Sequence, residues 1–419
     1  MAIITKAPRG TQDVLPEQSG KWQYIEKTAL ETASLYGFKE IRFPTFEHTE
    51  LFARGVGDGT DVVQKEMYTF QDKGERSITL RPEGTAGAMR TLIEHGVLAG
   101  ALPVKVSYLT SCFRYEKPQS GRLRQFHQNG IEVFGAKDAS LDAEIIQMAI
   151  RMLEANGIGD LKLSINSIGC PECRKAYHEK LKAYLAPKLP TLCKTCQERY
   201  ERNPLRILDC KEDAEKLTDA PAMLDNLCPD CAEHFERLKK YLEALGIAYE
   251  IDPRIVRGLD YYTKTAFEIQ YAPLGAQSAV CGGGRYAGLV QEISGSEARP
   301  GIGFAMGMER VLLALESQGL LPAFDETIDA YIVCPKKENF TVAFKTGIEL
   351  RRAGFKVEYD FFGRSMKAQM KQANKFQAKQ VLIFGEDELA RNAVTVRNMG
   401  TSEQQEIALT EIINYFNTL

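Results

Sequence analysis

Two strand-like runs, VKVSYLTSCFRYE at 104–116 and RQFHQNGIEVFG at 124–135, are joined by the short basic loop KPQSGRL. No other feature constrains the chain as much. Runs rich in β-branched and aromatic residues, linked so briefly, pair as an antiparallel hairpin with a long tip. Side chains alternate with period two along a strand, so Tyr108, Thr110, Arg114 and Glu116 share one face of the first strand, and Arg124, Gln128 and Glu132 share one face of the second. A solvated outer face is the commoner reason for such alternation. Here RPEGT at 81–85, RGLDYYTKTAFE at 257–268 and the MER of 308–310 are equally polar and equally embedded in apolar sequence, which favours a shared site.

The rest of the chain arranges itself around this hairpin. EQSGKWQYIEKTALETASLYGF places Trp22, Ile25, Ala29, Ala33 and Tyr36 on one helical stripe with Gly37 as the stop. FKEIRFPTFE follows as a strand interrupted by Pro44, which belongs at a sheet edge or bulge and so at a possible interface. The stretch 170–245 is mostly helical and reads as an insertion. Strands return at TAFEIQY, SAVC and GIGFAM, the last running into the helical MERVLLALESQG. The fold class is therefore α+β: an antiparallel sheet flanked by helices over residues 1–325, interrupted by the insertion. Residues 328–419 change rhythm to βαβαβ, a short hairpin and a closing helix, which predicts a separate small α/β domain with a parallel core.

With 419 residues, 44% of them hydrophobic, the chain can build several buried cores. No apolar run approaches the roughly 18 residues that span a bilayer, and MAIITKAPRGTQD lacks the order of a signal peptide, so a cytoplasmic protein with no membrane partner is expected. A net charge of -3 excludes a polycation that binds nucleic acid by bulk electrostatics.

Ten cysteines in such a chain point to thiols or metal ligands. Six form CxxC pairs: Cys170/Cys173, Cys193/Cys196 and Cys228/Cys231. The first two pairs have zinc-module spacing, but PECRKAYHEKLKAYL between them reads as one helix that would hold them about 20 Å apart. Cys170/Cys173 with Cys228/Cys231, or Cys193/Cys196 with Cys210, are the pairings left for a structural zinc; buried thiols without metal are the alternative. Gly301, Gly303 and Gly307 do not have dinucleotide-fingerprint spacing, and no P-loop occurs. CGGGRY at 281–286 suits either close backbone approach by a ligand or a tight turn. Arg310, in the first turn of a helix, is placed where an anion is favoured.

Several segments together resemble the class II aminoacyl-tRNA synthetases. FPTFEHTELF resembles motif 1 of that class, SCFRYEKPQSGRLRQFHQNGIEVFG motif 2 and GIGFAMGMER motif 3. RGLDYYTKTAFE and GGRYAGL resemble the two signatures of its histidine-specific family, over essentially the whole chain. The resemblance implies ATP-dependent ligation of L-histidine to histidine tRNA through a histidyl-adenylate, with Mg²⁺ on the ATP and a C-terminal anticodon-binding domain. It implies Arg257 and Arg114 as catalytic cations and Glu83, Thr85, Arg114, Gln128, Glu132, Arg257, Tyr261 and Tyr262 around histidine. Arg114, Glu116, Arg122 and Arg310 would take ATP. Motif 1 implies a homodimer. Lys264 and Ala287 stand where the family often has glycine and aspartate. The rival is the histidine-binding regulatory subunit of ATP phosphoribosyltransferase, which shares this fold; it should lack the C-terminal domain and need not keep the ATP arginines.

Overall fold

The computed structural model describes residues 5–419 apart from 58, 59, 61, 209, 211, 256–260, 296 and 325, and of residue 276 the backbone alone. By internal contacts the chain divides into Met1–Pro322 and Ala323–Leu419.

Pro16, which has no N–H to leave unsatisfied, opens helix α1 (Pro16–Leu35). Ile25, Ala29 and Ala33 are buried, and Trp22 and Tyr36 pack at the margin of the same core. The run after it does not stay in one strand. β1 (Lys39–Glu40) joins the edge of the large sheet, whereas β2 (Phe46–His48), beyond Pro44, starts a separate antiparallel sheet. That small sheet follows helix α2 (Thr49–Val56) with β3 (Tyr68–Gln71) and β4 (Ser77–Leu80), in the order β2-β4-β3. Proline cannot donate a ladder bond, and the chain changes sheets where it sits. Helix α3 (Thr85–Glu94) then leads to the hairpin.

The hairpin forms as its pattern predicts. β5 (Val104–Phe113) pairs with β6 (Gln125–Phe134) without a register break, from Val104 opposite Phe134 to Phe113 opposite Gln125. Helix α4 (Ala139–Ala155) is capped by Asp138, whose side chain accepts from the Ser140 N–H, and runs to β7 (Leu161–Ser167). The insertion carries α5 (Pro171–Leu185), α6 (Lys194–Arg202) and α7 (Pro229–Ala244). After it come β8 (Glu250–Ile251), β9 (Tyr262–Tyr271), β10 (Ala279–Tyr286), α8 (Leu289–Ser294), β11 (Gly301–Gly307) and α9 (Met308–Gln318). The large sheet has the order β1-β5-β6-β11-β10-β9-β7-β8, antiparallel except for its outermost pairs.

One expectation is corrected here. CGGGRY is not a tight turn; it forms the body of β10, paired on both sides with β9 and β11. A Cβ on Gly283 would stand 2.2 Å from the Gly303 carbonyl oxygen, so the glycines let the neighbouring strands close in.

Ile131, Val133, Phe267, Ile269, Ile302 and Phe304 turn to one side of this sheet and bury against α1, α4, α7 and α9. Alternation then directs Gln128, Glu132 and Glu268 to the other side. In the C-terminal unit β12 (Ala330–Val333), α10 (Phe340–Arg352), β13 (Val357–Tyr359), α11 (Met366–Lys375) and β14 (Gln380–Ile383) form the βαβαβ pattern. α12 (Glu386–Ala390), the hairpin β15 (Ala393–Asn398) and β16 (Gln404–Ala408), and α13 (Ile412–Asn417) complete it. β12 pairs in parallel with β13 and β14, while β15 and β16 extend the sheet antiparallel.

Candidate active site

On the sheet face away from the main core lies a cleft of about 860 Å³. Glu83, Thr85, Arg114, Glu116, Arg122, Gln128, Glu132, Tyr261, Tyr262 and Arg310 all line it. Arg257 lies outside the described residues.

Glu132 is the deepest of these groups, only 1% exposed. Three hydroxyls converge on it: Thr85 Oγ1 donates to Oε1 at 2.7 Å, Tyr108 Oη donates to the same oxygen at 3.1 Å, and Tyr286 donates to Oε2. Burial nevertheless pushes its carboxyl up to about 8, because three neutral donors do not replace the hydration of a full charge. Two glycines make room for this arrangement. A Cβ on Gly130 would stand 2.0 Å from the Tyr108 ring, and one on Gly303 would stand 2.2 Å from Glu132 Oε2. Sequence reasoning put Tyr108 on the right strand face but overlooked Tyr286 as a site residue; the GGRY stretch that carries it was the available signal.

Tyr261, Tyr262 and Tyr286 form an aromatic wall, the first pair tilted with ring centroids 4.7 Å apart and Tyr261 and Tyr286 edge-to-face at 5.5 Å. Tyr262 is reached through a bulge: Gly284 pairs with Ala266 but Tyr286 with Tyr262, so extra residues crowd into β9. Lys264 within it has φ +54, the left-handed region that favours glycine. Glu83 accepts from the Thr85 and Ala86 N–H groups at 2.7 and 2.8 Å, which satisfies the first turn of α3, and burial raises its pKa.

The arginines arrive from the β5–β6 connection and from α9. Arg114 leaves the end of β5, donates to the Pro82 carbonyl at 2.8 Å and lies 5.3 Å from the Phe126 ring centroid. Arg122, in the hairpin tip, pairs with Glu116. Arg310, in the first turn of α9, donates to the carbonyls of Gly121 and Ala279 and to Gln277 at 2.9, 2.6 and 2.8 Å, so it fastens the hairpin tip. Burial, then the charge of Arg122, lowers its pKa.

Beneath the site, Asp142 of α4 joins four elements. It accepts from Arg285 of β10 and Thr265 of β9 and pairs with His234 of α7 at 2.8 Å. Burial alone would raise its pKa; His234 and Arg285 reverse that and hold it low. The insertion helix is thus tied to the strands that carry Tyr262 and Tyr286.

The seven cysteines of the insertion fall into two groups, Cys170, Cys173, Cys228 and Cys231, and Cys193, Cys196 and Cys210 with Asp213. Either could hold a metal ion. The helix α5 separates the first two CxxC pairs, and both of the pairings that the spacing left open occur together.

Guanidinium groups from the hairpin connection and from α9, in one cleft with a carboxylate enclosed by hydroxyls, suit one anionic and one small polar substrate; on a sheet of this topology they define a class II aminoacyl-tRNA synthetase. Known proteins narrow the class. The family model for histidyl-tRNA synthetase matches residues 10–311, and that for the anticodon binding domain matches 329–419. The histidine–tRNA ligase of Moorella thermoacetica is 53% identical over 415 residues, covering 99% of this chain and 98% of the relative. That of Caldanaerobacter subterraneus subsp. tengcongensis is 54% identical over 412 residues, covering 98% and 99%. The crystal structure of apo S. aureus histidyl-tRNA synthetase superposes with a TM-score of 0.83 at 41% identity, covering 99% and 100% of the two chains. The chain belongs to the histidyl-tRNA synthetase family.

Proposed function

We infer that this protein joins L-histidine to its cognate tRNA in two steps. The histidine carboxylate attacks the α-phosphorus of ATP, giving histidyl-adenylate and releasing pyrophosphate. The ribose hydroxyl at the tRNA 3′ end then takes the acyl group and AMP leaves. The convergence of Arg114, Arg122 and Arg310 on the cleft that holds Glu132 carries this reading. The regulatory-subunit alternative is the weaker, because those arginines and residues 329–419 are all present.

Arg257 and Arg114 are the catalytic cations that neutralise charge developing at the α-phosphate. Arg310 serves the γ-phosphate end; Glu116 and Arg122 serve adenine and phosphate. Glu83, Thr85 and Gln128 hold the ammonium and carboxylate of histidine, and Glu132 and Tyr262 read its imidazole, with Tyr261 and Tyr286 walling the ring. An imidazole offers one N–H and one lone pair, and a carboxylate beside a phenol can match both. An amino acid without them would forfeit both bonds inside a buried site, a penalty worth up to about 10⁴ in discrimination. Glu116, Glu268 and Glu309 line the same cleft, which is the hard-oxygen chemistry that suits Mg²⁺. When bound, Mg²⁺ supplies charge neutralisation along the polyphosphate.

The tRNA meets the hairpin tip at its acceptor end and the unit of residues 328–419 at its anticodon. Exposed Phe361 and Phe362, with Arg364 over the Phe362 ring at 4.5 Å and Lys367, Lys371 and Lys375 following, are the chemistry for splayed bases. A homodimer is supported by the edge position of β1 and by exposed Leu35 at the end of α1 and Phe46 in β2. A cytoplasmic location fits the finding that, among the described residues, no helix is long and apolar enough to cross a membrane. The insertion cysteines hold structural zinc.

The test is amino-acid-dependent ATP/pyrophosphate exchange with the twenty amino acids. Exchange with histidine alone is expected, and silence with every amino acid would move the protein to the regulatory class. Arg257→Ala should abolish exchange while calorimetry still detects histidine binding.

A further inference from the structure

Two groups of metal-ligating side chains lie in the insertion, and they differ in donors and in place. In the first, Cys170 Sγ is 3.5 Å from Cys173 Sγ and 3.9 Å from Cys228 Sγ; in the second, Cys193 Sγ is 3.8 Å from Cys210 Sγ. Thiolates sharing a tetrahedral zinc at about 2.3 Å stand about 3.8 Å from one another, whereas disulfide sulfurs stand about 2.05 Å apart. Both groups have the spacing of shared coordination.

We propose that the insertion is a two-centre zinc module: a four-thiolate centre fastens its two ends beneath the strand that carries Tyr262, and a centre of three thiolates and one carboxylate holds a wall of the substrate cleft. This rests on the reading that the insertion cysteines hold zinc, and adds the number of ions, their ligands and their tasks.

Local structure is built for both. Cys170, Cys193 and Cys228 are the N-caps of α5, α6 and α7, so three helix N-termini lie at the ligands, a setting that favours thiolates. The Cys228 N–H already donates to Cys173 Sγ at 3.0 Å. Asp213 distinguishes the second centre. Its side chain is fully buried, with Oδ2 accepting from the Cys193 N–H at 2.8 Å and lying 3.8 Å from Cys210 Sγ. A carboxylate has no part in a disulfide, but it completes a zinc tetrahedron. The apolar cluster inside the insertion contains three of these cysteines among ten buried residues, so the thiols sit in its core. Small modules of that kind commonly depend on metal. On loading, the ligating thiols release their protons to solvent.

Position assigns the tasks. Next to the first centre, the Gly169 carbonyl accepts from Lys264 N and Thr263 Oγ1 at 2.9 and 3.0 Å, and Arg174 donates to the Tyr262 carbonyl at 2.9 Å. In the second, Cys193 and Cys210 themselves line the cleft with Thr195 and Arg199.

Full-length protein produced with zinc in the medium is analysed by elemental mass spectrometry and thiol titration. Two zinc ions per chain are expected, falling to one in Cys231→Ser and to one in Cys210→Ser. Asp213→Cys should keep both ions and, after cobalt exchange, strengthen the thiolate-to-cobalt absorption; that variant keeps four donors and guards against misfolding of the serine variants. Trypsin should cut residues 194–216 at least tenfold faster in Cys210→Ser than in the native chain. One ion per chain, unchanged in Cys210→Ser, overturns the two-centre module and leaves a single structural zinc standing. No zinc, with every cysteine titrating freely, overturns both.

Discussion

Glu132 shows how a single residue can be legible in kind and illegible in state. Strand alternation places it on the cleft face, but its partners come from α3, β5 and β10, and no local pattern announces three hydroxyls from such distant segments. Its folded value of about 8 against an ordinary 4.5 has a consequence for stability. Between those values the folded chain keeps a proton that the unfolded chain has lost. The contribution is therefore fully present below about pH 4.5 and disappears as pH rises through about 8. Thermal melting of the free protein should lose stability across that window, by at most about 1.4 kcal/mol per pH unit from this group. Glu132→Gln, which has no charge to bury, should flatten that part of the curve and weaken histidine binding by about 100-fold or more. A variant with the same slope as the native protein would remove Glu132 as its source.

At the scale of elements, the hairpin, the insertion helices and the βαβαβ run were readable because periodicity and turn residues act locally. β10 was readable only at its start, the SAVC run, since three consecutive glycines mean a strand only when both neighbours press on it. The division of the Pro44 run between two sheets was likewise hidden, because it depends on which partner each half finds. The bulge in β9 is the element most open to test. Lys264 is held left-handed by backbone bonds with Ile168 and Gly169, and its ammonium reaches Asp230 at 2.5 Å. A non-glycine residue in that region costs about 1 kcal/mol, while glycine adds back some entropy to the unfolded chain. Lys264→Gly should be neutral or stabilising by up to about 1 kcal/mol, and β-branched Lys264→Val should be destabilising by more than about 1 kcal/mol in urea denaturation. If the order were reversed, the ion pair and not the backbone would govern this position.

The whole molecule contains two units with cores that share no residues: Ala330, Leu350, Leu382 and Phe416 belong to one, Ile131, Ile146, Phe267 and Leu315 to the other. A chain ending at residue 322 should therefore fold, retain histidine-dependent ATP/pyrophosphate exchange within about threefold, and lose tRNA charging by about 100-fold or more. Exchange and charging assays on that fragment decide it; loss of exchange from a folded fragment would refute the assignment of the first step to residues 1–322. Substitutions can accumulate over much of such a molecule, but not beside its deepest carboxylate. At Gly130 and Gly303 the smallest added carbon collides with a phenol or an acid. Any drift towards a different amino acid must begin by dismantling the ring of hydroxyls, because those two hydrogens leave evolution no intermediate size to try.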